Sequence, residues 1–555
     1  MELSRREWFA SLSATALAPW SARADESPCD LLIRGGRVVD GTGNPWFTGD
    51  VAITGNRITA VGRALSFKAK TTIDAKGLVV APGFIDIYSH SDLLVLEDGK
   101  AESKIRQGVT LEVLGEGPSA GPAKGKLPPA RFGKHEWTTL GGYFDAIDKS
   151  GVSINVASYV GLDQVWQCVM GNSFARPTAE QFTEMQTLVD EAMKDGAFGL
   201  SSQLAMPPGS LATTDDIVKL CKPIKKYGGL FSTHNRNEGL GIFDAVKEAI
   251  AVGERAGVAV DVIHLKIADQ NLWGKMPEVI AVIEAARQRG VNVQANVYPY
   301  TRGNNNLASI VPPWAHESGK AKLLERLKDP AERIKMKKDI KDGIPGWYNH
   351  YTAVGGDWSR MLVSGRGTYE GLTMDRVIAV RSKGKEPPPD ALDLLFDILI
   401  EHDGSVPCVY AHHEEKDMTA ALVQPWCSVG SDGSAYAAEG ILRRGNPHPR
   451  NFGTFPRVLG VYVREKKLLK LEDAVRKMTA LNATKLGITD RGVIRPGAFA
   501  DVTVFDADRV IDHSTYEKPF AYSSGIEWVL VNGVPVLEPG GKHSGAKPGK
   551  AVRRI

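Results

Sequence analysis

The chain has 555 residues, 43% of them hydrophobic and 24% charged, with a formal net charge of +3. That balance excludes a disordered or fibrous class and is too weakly basic to imply nucleic acid or an anionic membrane surface as a partner. No apolar stretch approaches the ~18 residues of a spanning helix, so no membrane span is expected.

In chain order, the first feature is SRREWFASLSATALAPWSARA, with paired Arg5 and Arg6, a modestly apolar run and the small-residue end Ala22-Arg23-Ala24. This is the layout of a twin-arginine export signal over residues 1–24, and it predicts a periplasmic or otherwise exported protein that crosses the membrane already folded. Residues 29–80 read as short strands, DLLIRGGRVVD, DVAITGNRITAVG and TTIDAKGLVVAPG, with Gly-Gly and Gly-Asn turns between alternating apolar residues. The same texture returns over 481–545, in ADVTVFDADRVI and GIEWVLVNGVPVLE. Both chain ends are therefore expected to build one small β-sandwich domain. Between them, residues 81–480 alternate apolar strands (SINVASYVG, GGLFSTH, VAVDVIHLK, VNVQANVYPY) with helical stretches such as TAEQFTEMQTLVDEAMKDG. That pattern predicts an α/β fold of the (β/α)8 TIM-like barrel type.

Residues from about 303 to 405 break the alternation and read as an insertion on the barrel, with KAKLLERLKDPAERIKMKKDIKDG as solvated helix. Long insertions at the active-site end of a barrel often act as lids. Nowhere do the glycines form GxGxxG or GxxxxGK[ST], so nucleotide-binding readings lose their support. The five cysteines, Cys29, Cys168, Cys221, Cys408 and Cys427, are scattered without close spacing and read as core thiols, a disulfide between two of them remaining open.

Barrel chemistry resides at the C-terminal ends of strands. His90 in DIYSHSD, Glu116 in TLEVLGEG, His234 in LFSTHNRNEG, His264 in DVIHLKIAD and Asp432 in PWCSVGSDGSA all fall there. A single histidine at a strand end is ordinarily a hydrogen-bonding residue. Two imidazoles and a carboxylate converging on one mouth instead satisfy the three-ligand pattern of catalytic zinc, whose remaining position takes water.

GGRVVDGTG, APGFIDIYSHSD, QGVTLEVLGEG, STHNRNEG, IHLK, VYPYT, VGSDG, HPRNFGTFPRVLG and RGVIRPGAFADVTVFD occur in an order that resembles the N-acyl-D-amino-acid deacylases (D-aminoacylases) of the amidohydrolase superfamily. The resemblance implies a zinc-dependent hydrolase of the amide bond in N-acyl, D-configured amino acids. It implies that His234 and His264 hold the zinc with Glu116 as third ligand, and that Asp432 is the general base. Lys266, Tyr298 and Arg450 match positions that hold the carboxylate of the amino-acid half. The expected partner is a small N-acyl amino acid, with the oligomeric state open.

The chain departs from the family pattern at Tyr88, where a histidine would pair with His90. A neutral phenol of pKa about 10 is a poor zinc ligand, so one firmly bound zinc is expected, with His90 at most a ligand to a weak second ion. RGNNN after VYPYT, with Arg302 and Asn304 to Asn306, and Leu162 in VGLDQVWQ are further departures expected to reshape the pocket. The nearest alternatives on the same barrel are a cyclic amidase of the hydantoinase or dihydroorotase kind, which usually bridges two metals with a carboxylated lysine, and a dipeptidase acting on a D residue. A noncatalytic binding protein is weighed against these, and the intact Asp432 speaks for an enzyme.

Overall fold

A computed structural model describes residues 28–554; the expected export signal, 1–24, lies outside the described residues. Short apolar runs form eight strands: β1 (Phe84–Asp86), β2 (Val109–Leu114), β3 (Asn155–Ser158), β4 (Gly199–Gln203), β5 (Leu230–His234), β6 (Ala259–Val262), β7 (Val293–Val297) and β8 (Cys427–Val429). Pairing is parallel from β1 to β3 and from β4 to β8. The sequence between strands supplies amphipathic helices with clear start signals. Thr178 and Thr213 open the helices Ala179–Lys194 and Thr214–Lys225 with capping boxes to Gln181 and Asp216.

Two seams close the ring. Between β8 and β1, Ser89 bridges Gly433, and the Asp432 N–H donates to the Tyr88 carbonyl at 2.9 Å. Between β3 and β4, the Phe198 N–H donates to the Ser158 carbonyl at 3.0 Å. Toward the N-terminal face of that second seam, residues 549–554 lie in the opening. There the Val156 N–H donates to Lys550 O (2.9 Å), the Val552 N–H to Val156 O (2.7 Å) and the Arg554 N–H to Gly196 O (2.9 Å). Alternate residues along the strands, including Leu111, Val113, Ala157 and Tyr159, pack together with Phe198, Leu230 and Ile263 over Ala483 and Leu486 of the helix Ala480–Leu486.

Strands from both chain ends share one nine-stranded sheet beside the barrel. They meet where Val79–Pro82 runs antiparallel to Val502–Phe505. Between β7 and β8 a block with its own core, including Leu323, Met336, Phe396 and Leu399, carries a three-stranded sheet of Gly303–Asn306, Pro407–Tyr410 and Met361–Val363. This block runs to Tyr410, past the expected boundary near 405, because Pro407–Tyr410 is the central strand of that sheet. Its charged stretch forms two helices, Lys320–Lys328 and Pro330–Asp342, with the Asp329 side chain capping the second. All five cysteines are buried and unpaired. Among the described residues no helix is long and apolar enough to cross a membrane.

Candidate active site

The strand ends deliver their side chains to one cavity of about 450 Å³ at the C-terminal mouth. Glu116, His234 and His264, all buried, place ligand-capable atoms within 4.8 Å of one another. Each histidine is oriented by a partner. The Nδ1 of His234 lies 2.9 Å from the Asn235 carbonyl, the geometry of an N–H donor, which leaves Nε2 for the cavity. The Nδ1 of His264 is 3.1 Å from Glu238 Oε1, and its Nε2 faces Asp432 at 3.8 Å. Burial and the adjacent Lys266 lower the pKa of His264, favouring the neutral imidazole that a metal requires. Glu116 Oε1 is buried without a hydrogen-bond partner. Two imidazoles and a carboxylate with an unspent oxygen fit a tetrahedral zinc site with one open position.

Two of these residues carry unusual backbone. His264 has φ 37° and Asp432 has φ 52°, in the left-handed region that non-glycine residues enter at a cost. The His264 N–H is held by Asn296 Oδ1 (2.9 Å), whose amide in turn donates to Asp261 Oδ2 (2.8 Å). Asp432 is fixed by its own N–H to Tyr88 O and by two side-chain contacts. Arg450 Nη1 donates to its Oδ2 at 2.6 Å, and His90 Nε2 lies 3.0 Å from its Oδ1. Burial alone would raise the Asp432 pKa, but the Arg450 charge, with His264 and His90, outweighs it and holds the carboxyl well below the usual range. Asp432 is therefore ionised and able to accept a proton.

Strand β1 ends at Asp86, and a bend then carries both Tyr88 and His90 to the mouth, where their side chains touch at 3.1 Å (Oη to Nε2). Burial, then the neighbouring Asp432 and Glu116 carboxylates, push the Tyr88 phenol well above its ordinary pKa, so it remains protonated. His90 lies 3.6 Å from Glu116 Oε2. Its protonation is opposed by burial but favoured more strongly by the bond to Asp432 and the charge of Glu116.

Of the three positions expected to grip a carboxylate, the structure brings two together. Arg450 lies over the Tyr298 ring at 5.0 Å, and both Arg450 Nε and Tyr298 Oη are buried donors with no partner. Lys266 has a different task. Its Nζ donates to Glu238 Oε1 at 2.6 Å and lies 2.8 Å from His264 Nδ1, so it stands behind the ligand and does not line the cavity. The reason is Glu238, which sequence reading passed over as part of the loop NRNEG. It lies on the turn after β5 and is buried, and the Lys266 charge and the two histidines overcome the cost of burial to keep it ionised. His448 lines the cavity and presents its Nδ1 to the Arg450 N–H at 3.0 Å. Of RGNNN, Asn304 and Asn305 line the cavity, while Arg302 stacks on Tyr516. Leu162 is buried in the core beside β3.

A (β/α)8 barrel whose mouth gathers two imidazoles and a carboxylate beside an ionised acid is the layout of an amidohydrolase. Residues 442–537 match the family model described as "Amidohydrolase family". The chain is 33% identical to a D-aminoacylase of Alcaligenes xylosoxydans xylosoxydans, over 94% of this chain and 98% of that protein. It is 35% identical to an N-acyl-D-glutamate deacylase of the same organism, over 95% and 96%. A crystal structure of N-acyl-D-glutamate deacylase from Bordetella bronchiseptica, complexed with zinc and a phosphonate inhibitor, superposes with a TM-score of 0.77 at 31% identity, over 95% of this chain and all of that one. The chain belongs to the D-aminoacylase family.

Proposed function

We propose that the protein is a zinc-dependent amidohydrolase that cleaves the amide bond of N-acyl-D-amino acids, giving a carboxylic acid and the free D-amino acid. The observation that carries this is the convergence of Glu116, His234 and His264 with the ionised Asp432 3.8 Å from His264. These three residues would hold one zinc ion, which when bound polarises the scissile carbonyl and activates water. Asp432 takes the proton released by water and passes it to the leaving nitrogen. Arg450 on the cavity wall receives the substrate carboxylate with the planar geometry suited to it, beside the unpaired Tyr298 Oη. Glu238 and Lys266 lock the orientation of His264 from behind.

The donor set favours a single zinc, since Tyr88 contributes a neutral phenol beside His90. A cyclic amidase bridging two metals through a carboxylated lysine gains no support, because no lysine among the described residues lines the cavity. The paired Arg5 and Arg6 support export to the periplasm. Replacing both by lysine is expected to leave the protein in the cytoplasmic fraction, as immunoblots of cell fractions would show.

The decisive experiment measures hydrolysis of N-acetyl-D- and N-acetyl-L-amino acids by the protein as purified, after chelation and after zinc is restored. Activity on the D series that disappears with chelation and returns with zinc is the expected result. Equal activity after chelation, or none on any N-acyl amino acid, overturns the reading.

A further inference from the structure

The cavity wall contains three arginines, Arg366, Arg444 and Arg450. Arg444 is committed to Glu97 through two bonds of 2.9 Å, and Arg450 gives one nitrogen to Asp432. Arg366 has no acidic partner and no hydrogen bond among the described residues, and its side chain is exposed at the mouth. It is carried by the insertion, on the loop that follows Met361–Val363. The loop is tied to the segment that bears Arg450, since the Asn446 N–H donates to Ser364 O at 2.9 Å. Beside it, Asn304 accepts a bond from Ser364 Oγ at 2.9 Å, which leaves the Asn304 amide nitrogen as a further donor on this wall.

The cavity thus has two separate sets of unspent donors. The inner set centres on Arg450, which lines the cavity and suits the carboxylate present in every N-acyl amino acid, with the unpaired Tyr298 Oη buried beside it. The outer set, Arg366 with Asn304, lies on the β7–β8 side with Arg450 and not on the β4 side, where Gln203 lines the wall. Since the acyl half extends away from the carboxylate seat, an anion at Arg366 belongs to the amino-acid half. Sequence identity does not choose between the two Alcaligenes relatives, of which one is named for D-glutamate. Resting on the activity proposed above, we infer that the substrate carries a second carboxylate on its amino-acid side chain, as in N-acyl-D-glutamate or N-acyl-D-aspartate, and that Arg366 is the specificity-determining residue that reads it.

The test compares kcat/KM for N-acetyl-D-glutamate and N-acetyl-D-methionine on the zinc-loaded full chain, with calorimetric binding of D-glutamate and D-methionine alongside. The native protein is expected to prefer the glutamate derivative. Arg366→Ala is expected to lower the glutamate-to-methionine ratio by about tenfold to hundredfold, the range for one charge-assisted contact, and Arg366→Glu to turn preference toward N-acetyl-D-lysine. A native preference for methionine, or a ratio that Arg366→Ala does not move, overturns the inference while leaving the amidohydrolase reading standing. Absence of hydrolysis of either substrate, with Arg366-dependent binding of D-glutamate retained, counts against the activity alone. Loss of both hydrolysis and Arg366-dependent binding counts against both.

Discussion

The flank and the mouth of the barrel both bury charge, but they treat it differently. Alongside the strands, Lys104 is fully buried and spends its protons on Asp86 (2.6 Å) and Ser431 Oγ (2.8 Å), while Lys485 spends its own on Asp261, Ser428 and the Ala295 carbonyl. At the mouth, Glu116 Oε1, Tyr298 Oη and Arg450 Nε are equally buried and left unpaired, beside two residues with left-handed backbone. Buried polar groups cost free energy unless hydrogen-bonded. The first arrangement therefore serves the fold, and the second keeps its bonding capacity for what enters.

That contrast is sharpest at Asp432. Asp432→Asn is expected to lower kcat/KM by about a thousandfold, the scale of a lost general base, and to lower the melting temperature, because buried Arg450 loses its anion. Asparagine tolerates left-handed backbone, and kinetics with thermal melts on one preparation check both halves. The opposite variant is Lys104→Met, which strands Asp86 and Glu112 as buried charges. It is expected to cost about 3–5 kcal/mol in urea unfolding, and adding Asp86→Asn should recover part of that loss.

Acid probes the wall where the insertion meets the barrel. Burial lowers His350 and His413 to about 3, against an ordinary histidine value of 6.5. Between those values the unfolded chain binds protons that the native state refuses, so this contribution is complete above pH 6.5 and is lost as pH falls toward 3. Thermal melts from pH 7.5 to 4.5 are expected to decline on the order of 1 kcal/mol per pH unit for each histidine, and His350→Asn to flatten the decline. The smallest effect concerns Tyr88→His, which supplies the missing imidazole beside His90. Zinc content measured on dialysed protein is expected to rise from one toward two per chain, with stability changed by less than about 1 kcal/mol.

Much of the mouth was legible because strand ends announce themselves. Apolar runs closing on His234, His264, Glu116 or Asp432 need only the period of a strand and the geometry of a barrel. What was not legible depends on contacts between distant residues. Glu238 looks like loop until it is seen against Lys266 and His264, and Lys266 looks like a substrate-facing charge until Glu238 claims it. Lys104 sits in a four-residue helix, and only its partners on β1 and after β8 reveal why it is buried. The Arg366 loop lies in the insertion, where no periodic signal points at the cavity.

The segment at residues 549–554, laced between β3 and β4, bears on the order in which the molecule can be assembled. One staple across that seam joins Val156 to Lys550 and Val552, positions nearly 400 residues apart along the chain. While the polypeptide is still being made, the end of that seam toward the N-terminal face therefore stays uncovered, and the sheet beside the barrel lacks the strands from Val502 onward. Contacts so remote in sequence form late. Synthesis must therefore pass residue 550 before that end of the seam is covered, whereas the mouth end, where the Phe198 N–H already meets the Ser158 carbonyl, does not wait for it.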